Sequence, residues 1–224
     1  MYEYYLTALI TFLVIWFLLF SRYVMTKKID GENLKQIYKE DIQTGDIIIL
    51  DFQSIQSLFI ASLFRNNYMH PAIALWQDGE LFIVELIGYT DKKGLLKIPF
   101  EEWKRRNRHG IAKLCKLEIE KNDKERRELV AKKIEQYYQK YKSLFVSPRG
   151  FSWNWRRFWF QVSKQNYLLD ELNCSEVLVM ILIKCGILSR QHALHDFTPE
   201  RLSHINSIQF SRPFMYKEKF ISYL

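Results

Sequence analysis

The chain has 224 residues, 48% of them hydrophobic, which is enough for one domain of moderate size with its own core. Its formal net charge of +8 favours acidic partners or anionic membrane surfaces, but the basic residues are scattered and no nucleic-acid motif occurs, so no nucleic acid is expected to bind. The three cysteines, Cys115, Cys174 and Cys185, are odd in number and lack CxxC spacing, which argues against a disulfide framework or a zinc site and for a reducing compartment.

Between Glu3 and Arg22 no residue is charged, and the run is rich in Leu, Ile, Val and Phe. It meets the lower limit of the roughly 17–25 residues that a membrane-spanning helix needs. Tyr4, Tyr5 and Tyr23 flank it like interfacial anchors. The expectation is a transmembrane helix over residues 4–25. A cleaved signal peptide fits less well, because no basic n-region or small-x-small site is present. An unusually apolar core helix is the other alternative. Glu3 precedes the run and Arg22, Lys27 and Lys28 follow it, so the positive-inside rule places the rest of the chain on the cytoplasmic side. A single-pass protein of a cellular or viral membrane is the expected setting.

Residues 26–40 read as a tether, and 41–224 as the folded domain. Thr44-Gly45 is a turn, and Asp46 to Asp51 a short buried strand. Ser54 to Phe64 has helical spacing. Ala72–Trp76 and Leu81–Leu86 flank Gln77-Asp78-Gly79-Glu80, a hairpin signal with Asp-Gly at the turn. Leu95 to Ile98 and Ile111 to Ile119 supply further strands. Asn122 to Phe145 carries Val130, Ile134, Tyr137, Tyr141 and Leu144 on one face of an amphipathic helix. Residues 147–167 interleave aromatics with arginine and read as an insertion that lines a cleft, lies in a membrane interface or covers the core as a lid. Asn173 and Glu176 form a capping-box-like pair, which places Cys174 at the first position of a helix whose body, Val177 to Ile183, is apolar all round and therefore buried. Gly186 stops that helix. Pro199 and Pro213 punctuate the tail.

A lone cysteine is usually a packing residue, and Cys115 and Cys185 are read that way. Cys174 differs. A helix N-terminus favours a thiolate, and the polar residues before it keep that helix start near solvent. His70 opens an apolar strand upstream. Glu85 interrupts another, where a buried carboxylate needs a partner. Counting back from the Asp78-Gly79 turn puts His70 and Glu85 toward the same end of adjacent strands. Cysteine, imidazole and carboxylate are the parts of an activated thiol nucleophile. The bland alternatives are a surface turn for His70 and a strand edge where Glu85 meets solvent. His109, His192, His195 and His204 read as surface residues. A metal site on His70 and Glu85 lacks further ligands at the right spacing, and no cofactor is expected.

Gly45-Asp46-Ile47-Ile48-Ile49-Leu50, then His70-Pro71-Ala72-Ile73-Ala74, Phe82-Ile83-Val84-Glu85 and Asn173-Cys174-Ser175-Glu176-Val177-Leu178, resemble the permuted papain-like enzymes. These are the YiiX/YaeF-like amidases of the NlpC superfamily, related to lecithin–retinol acyltransferase. The resemblance covers residues 41–215 and includes Thr198-Pro199. It implies an α+β fold, with a small antiparallel sheet or barrel packed on the cysteine-bearing helix. It also implies Cys174 as nucleophile, His70 as base and Glu85 as the residue that orients it. Pro71 departs from the family pattern. The expected function is a membrane-anchored cysteine hydrolase, an amidase, peptidase, lipid acyl hydrolase or acyltransferase, whose partners are the lipid bilayer and an amide- or ester-containing peptide or lipid. The alternative is a catalytically idle papain-like domain used as a structural or membrane-associated module, in a virion for instance.

Overall fold

The computed structural model describes residues 2–26, 36–52, 70–87, 94–108, 110–119, 123–142, 174–189, 202, 208 and 210–223. The helix expected at Ser54–Phe64, most of the tether, the insertion at 147–167, the Asn173 cap, Thr198-Pro199 and the four remaining histidines lie outside those residues.

In chain order the elements are helix α1 (Tyr2–Thr26), a 3-10 turn (Lys39–Asp41), strands β1 (Ile47–Phe52), β2 (His70–Gln77), β3 (Glu80–Ile87) and β4 (Gly94–Pro99), helix α2 (Phe100–Arg106), strand β5 (Gly110–Ile119), helices α3 (Lys124–Tyr141) and α4 (Cys174–Lys184), and strand β6 (Phe214–Tyr223). The fold is α+β. Its centre is one six-stranded antiparallel sheet in the order β4-β3-β2-β1-β5-β6. Among the described residues the sheet is open, with β4 and β6 at its edges, and not a small barrel.

The β2–β3 hairpin turns at Asp78 and Gly79, whose φ angles are 53° and 80°. Positive φ at both central residues is the two-residue turn whose twist matches the flanking strands, and Asp-Gly adopts it at low cost. Ile47, Ile48, Ile49 and Leu50 of the central strand β1 are all fully buried. Alternate side chains of a strand face opposite sides of its sheet, so this unbroken apolar run means that both faces are covered. One face packs Ile47, Ile49, Ile73, Leu75, Val84 and Leu86 against α3 and α4. The other packs Ile48, Leu50, Ala72, Ala74 and Ile83 against Trp103 and Phe100 of α2 and against Ile37 and Ile42. Val177 through Leu182 of α4 are all buried, as their continuous hydrophobicity predicts.

The Gly45-Asp46 turn is a junction of four elements. Gly45 has φ +90°, and a Cβ there would stand 2.5 Å from Leu117 Cδ2. Its carbonyl accepts from the Tyr216 hydroxyl of β6 at 2.6 Å. The fully buried Asp46 carboxylate accepts from the backbone N–H of Gln43 at 2.7 Å and of Leu117 at 2.9 Å, and pairs with Lys116 Nζ at 2.6 Å. Arg127 of α3 donates to the carbonyls of Thr44 and Leu117. Burial raises the Asp46 pKa, and Lys116 with the backbone donors works against that rise.

The expected transmembrane helix needs correction. Residues Tyr2–Thr26 do form one helix, but among the described residues no helix is long and apolar enough to cross a membrane. The single-pass membrane location, its cytoplasmic orientation and the anchoring of the domain rested on this helix and fall with it.

Candidate active site

His70 is the first residue of β2, and Glu85 lies on β3. The β2–β3 register pairs Ile73 with Val84. Carried one step further it sets Ala72 opposite Glu85, so His70 is the diagonal neighbour of Glu85 on the same face. Diagonal partners are within reach of long side chains. His70 Nε2 and Glu85 Oε2 are 3.0 Å apart, with side chains only 5% and 4% exposed. Pro71 follows His70 directly and is paired with Ile49 of β1, so the proline sits inside the sheet without displacing the histidine.

Cys174 is the first residue of α4, half-buried and not in a disulfide. Its thiol hydrogen-bonds the His70 ring. With Nε2 held by Glu85, Nδ1 is the ring nitrogen left for sulfur. The structure therefore brings all three predicted residues together around one imidazole. Burial acts against a charged His70, but the hydrogen bonds and charges of Cys174 and Glu85 outweigh it and push its pKa up to about 10. Cys174 and Glu85 thus both favour the protonated form of the ring. Cys115 and Cys185 are buried elsewhere, and burial pushes the Cys185 thiol up to about 12, against the attraction of Lys133. Neither has the environment of Cys174.

Two neighbours were not anticipated. Trp103 Nε1 of α2 donates to Glu85 Oε2 at 3.1 Å, the same oxygen that serves His70. Trp103 hides in the sequence among Glu101, Glu102, Lys104, Arg105 and Arg106, a stretch that looks solvated. The available signal was the three-residue spacing of Phe100 and Trp103, which puts both on one helical face. Ser175, next to the cysteine, is fully buried, and its Oγ has no hydrogen-bond partner among the described residues. Glu176 is buried in the first turn of α4. Among the described residues no group of three or more His, Cys, Asp and Glu side chains is placed to hold a metal ion.

No family model matches the chain, and no curated protein matches it. Among solved structures it is similar to the metalloprotein yiiX from Escherichia coli O157:H7, at 21% identity and a TM-score of 0.44. That likeness spans 64% of this chain and 66% of that one.

Proposed function

We propose that this chain is a papain-like cysteine hydrolase or acyltransferase of permuted order, acting on an amide or ester carbonyl of a peptide or lipid. The observation that supports this reading is the His70 ring, bonded on one side to Glu85 and on the other to Cys174. Cys174 Sγ attacks the carbonyl carbon, and the C=O π electrons move onto oxygen. The backbone N–H of Cys174, at the start of α4, is the first candidate donor to that oxyanion. As the tetrahedral species collapses, the C–N or C–O bond breaks and His70 gives its proton to the leaving amine or alcohol. Water, or an acceptor alcohol or amine, then attacks the thioester while His70 takes its proton, and the cysteine is released. Glu85 fixes the ring and offsets the imidazolium charge throughout.

The test uses a small thiol alkylator, iodoacetamide, with each cysteine followed by peptide mass mapping, and then acyl substrates screened against wild type and Cys174→Ala. Cys174 should be modified far faster than Cys115 and Cys185, and His70→Ala should remove that advantage. A Cys174 no more reactive than Cys115, unaffected by His70→Ala, would overturn the enzyme reading and leave an idle papain-like module in its place.

A further inference from the structure

We propose that Trp103 is a positioning residue, whose indole N–H holds Glu85 in the rotamer that aims His70 at Cys174. This rests on the reading of Cys174, His70 and Glu85 as nucleophile, base and orienting group.

The Trp103 side chain is fully buried. A buried indole N–H needs an acceptor, and here the acceptor is a side chain that nothing else in α2 requires. Glu85 Oε2 receives Trp103 Nε1 at 3.1 Å and His70 Nε2 at 3.0 Å. Two donors converging on one oxygen fix the carboxylate plane, where one donor would leave it free to turn about its last torsion. The donor is also uncharged. An arginine or lysine in its place would neutralise Glu85 and weaken its hold on the imidazolium, whereas an indole N–H stabilises the anion and leaves its full charge facing His70. The charges of Cys174 and Glu85 both raise the His70 pKa.

The indole is itself held on several sides. It stacks on Phe100 with ring centroids 6.1 Å apart. The Trp103 carbonyl accepts from Asn107 through the backbone N–H at 3.1 Å and through Nδ2 at 2.9 Å. Lys104 Nζ ties the same turn to the Ile37 carbonyl at 3.2 Å. A short helix outside the sheet thus reaches through its packing face and sets the angle of a carboxylate on β3.

The test is Trp103→Phe, which keeps an aromatic ring against Phe100 and removes the N–H. A second variant carries benzothienylalanine at position 103, an isostere with sulfur in place of N–H, so that lost packing is separated from the lost donor. The readout is the rate of Cys174 alkylation by iodoacetamide across pH. Loss of one hydrogen bond to a charged acceptor should lower the rate at neutral pH about tenfold and move the alkaline limb to lower pH in both variants. A control, Phe100→Leu, should lower the melting temperature and leave the pH profile in place. Both position-103 variants keeping the wild-type rate and profile, while Glu85→Gln and His70→Ala lose them, would overturn the role of Trp103 and leave the catalytic reading intact. Ordinary Cys174 reactivity in wild type, indifferent to His70→Ala, would instead overturn the catalytic reading, and the role of Trp103 with it.

Discussion

Glu85→Gln isolates the charge in the centre of the site. The amide oxygen of glutamine can accept from His70 Nε2 and Trp103 Nε1 as Oε2 does, so the substitution removes a full negative charge and keeps both acceptor contacts. The carboxylate is 3.0 Å from the ring and almost wholly buried, where water screens little of the attraction. An opposite charge that close moves a pKa by roughly 1–3 units, worth about 1.4–4 kcal/mol of preference for the charged form. His70, now pushed up to about 10, should therefore titrate near pH 7–9 in the variant, by that ~1–3 unit loss. Two measurements report it: the NMR titration of the His70 ring, and the alkaline limb of Cys174 alkylation. Both should move down together, while the fold stays intact by circular dichroism. Superimposable pH profiles for wild type and Glu85→Gln would refute the assignment of Glu85 as the charge that holds the imidazolium.

Other outcomes follow from the same geometry. The folded-state pKa of His70 lies above the unfolded value of 6.5, so its stabilising contribution is fully present below about pH 6.5 and is lost as pH rises through about 10. The difference in unfolding free energy between wild type and His70→Gln should close over that window, and a difference that widens with pH would contradict the sign. Ser175→Ala removes a buried hydroxyl with no partner among the described residues and should raise stability by about 1 kcal/mol in urea denaturation. A loss of activity in that variant without a loss of stability would instead assign the hydroxyl to substrate. Gly45→Ala forces a positive φ on alanine and drives a methyl into Leu117, so it should cost about 2–4 kcal/mol of unfolding free energy. A cost below about 0.5 kcal/mol would mean that the turn relaxes freely.

The parts of this molecule written in local chemistry could be read from the sequence. Asp78-Gly79 demanded a two-residue turn. From that turn, counting alone put His70 and Glu85 at one end of the hairpin. The unbroken apolar run after Cys174 demanded a buried helix. Pairings without a local signature could not be read. β5 lies beside β1, and β6, which follows Pro213 and looked like tail, completes the sheet. Trp103 was missed because a helix of seven residues is too short to show periodicity through five charged neighbours. The N-terminal apolar run misled in the other direction: it does form a helix, but among the described residues no helix is long and apolar enough to cross a membrane.

The Tyr216–Gly45 hydrogen bond joins residues 171 apart in the chain. Contacts of such long range form late, because the intervening segment must first be brought back at an entropic cost. During synthesis, β1 to β4 emerge long before β6, and until β6 arrives the Gly45 carbonyl and the exposed edge of β5 have no partner from it. The nascent domain is therefore open along β5 for most of its translation. Cys174 opens α4, which follows β1 to β5 in the chain, so it too meets His70 only in the later part of that process.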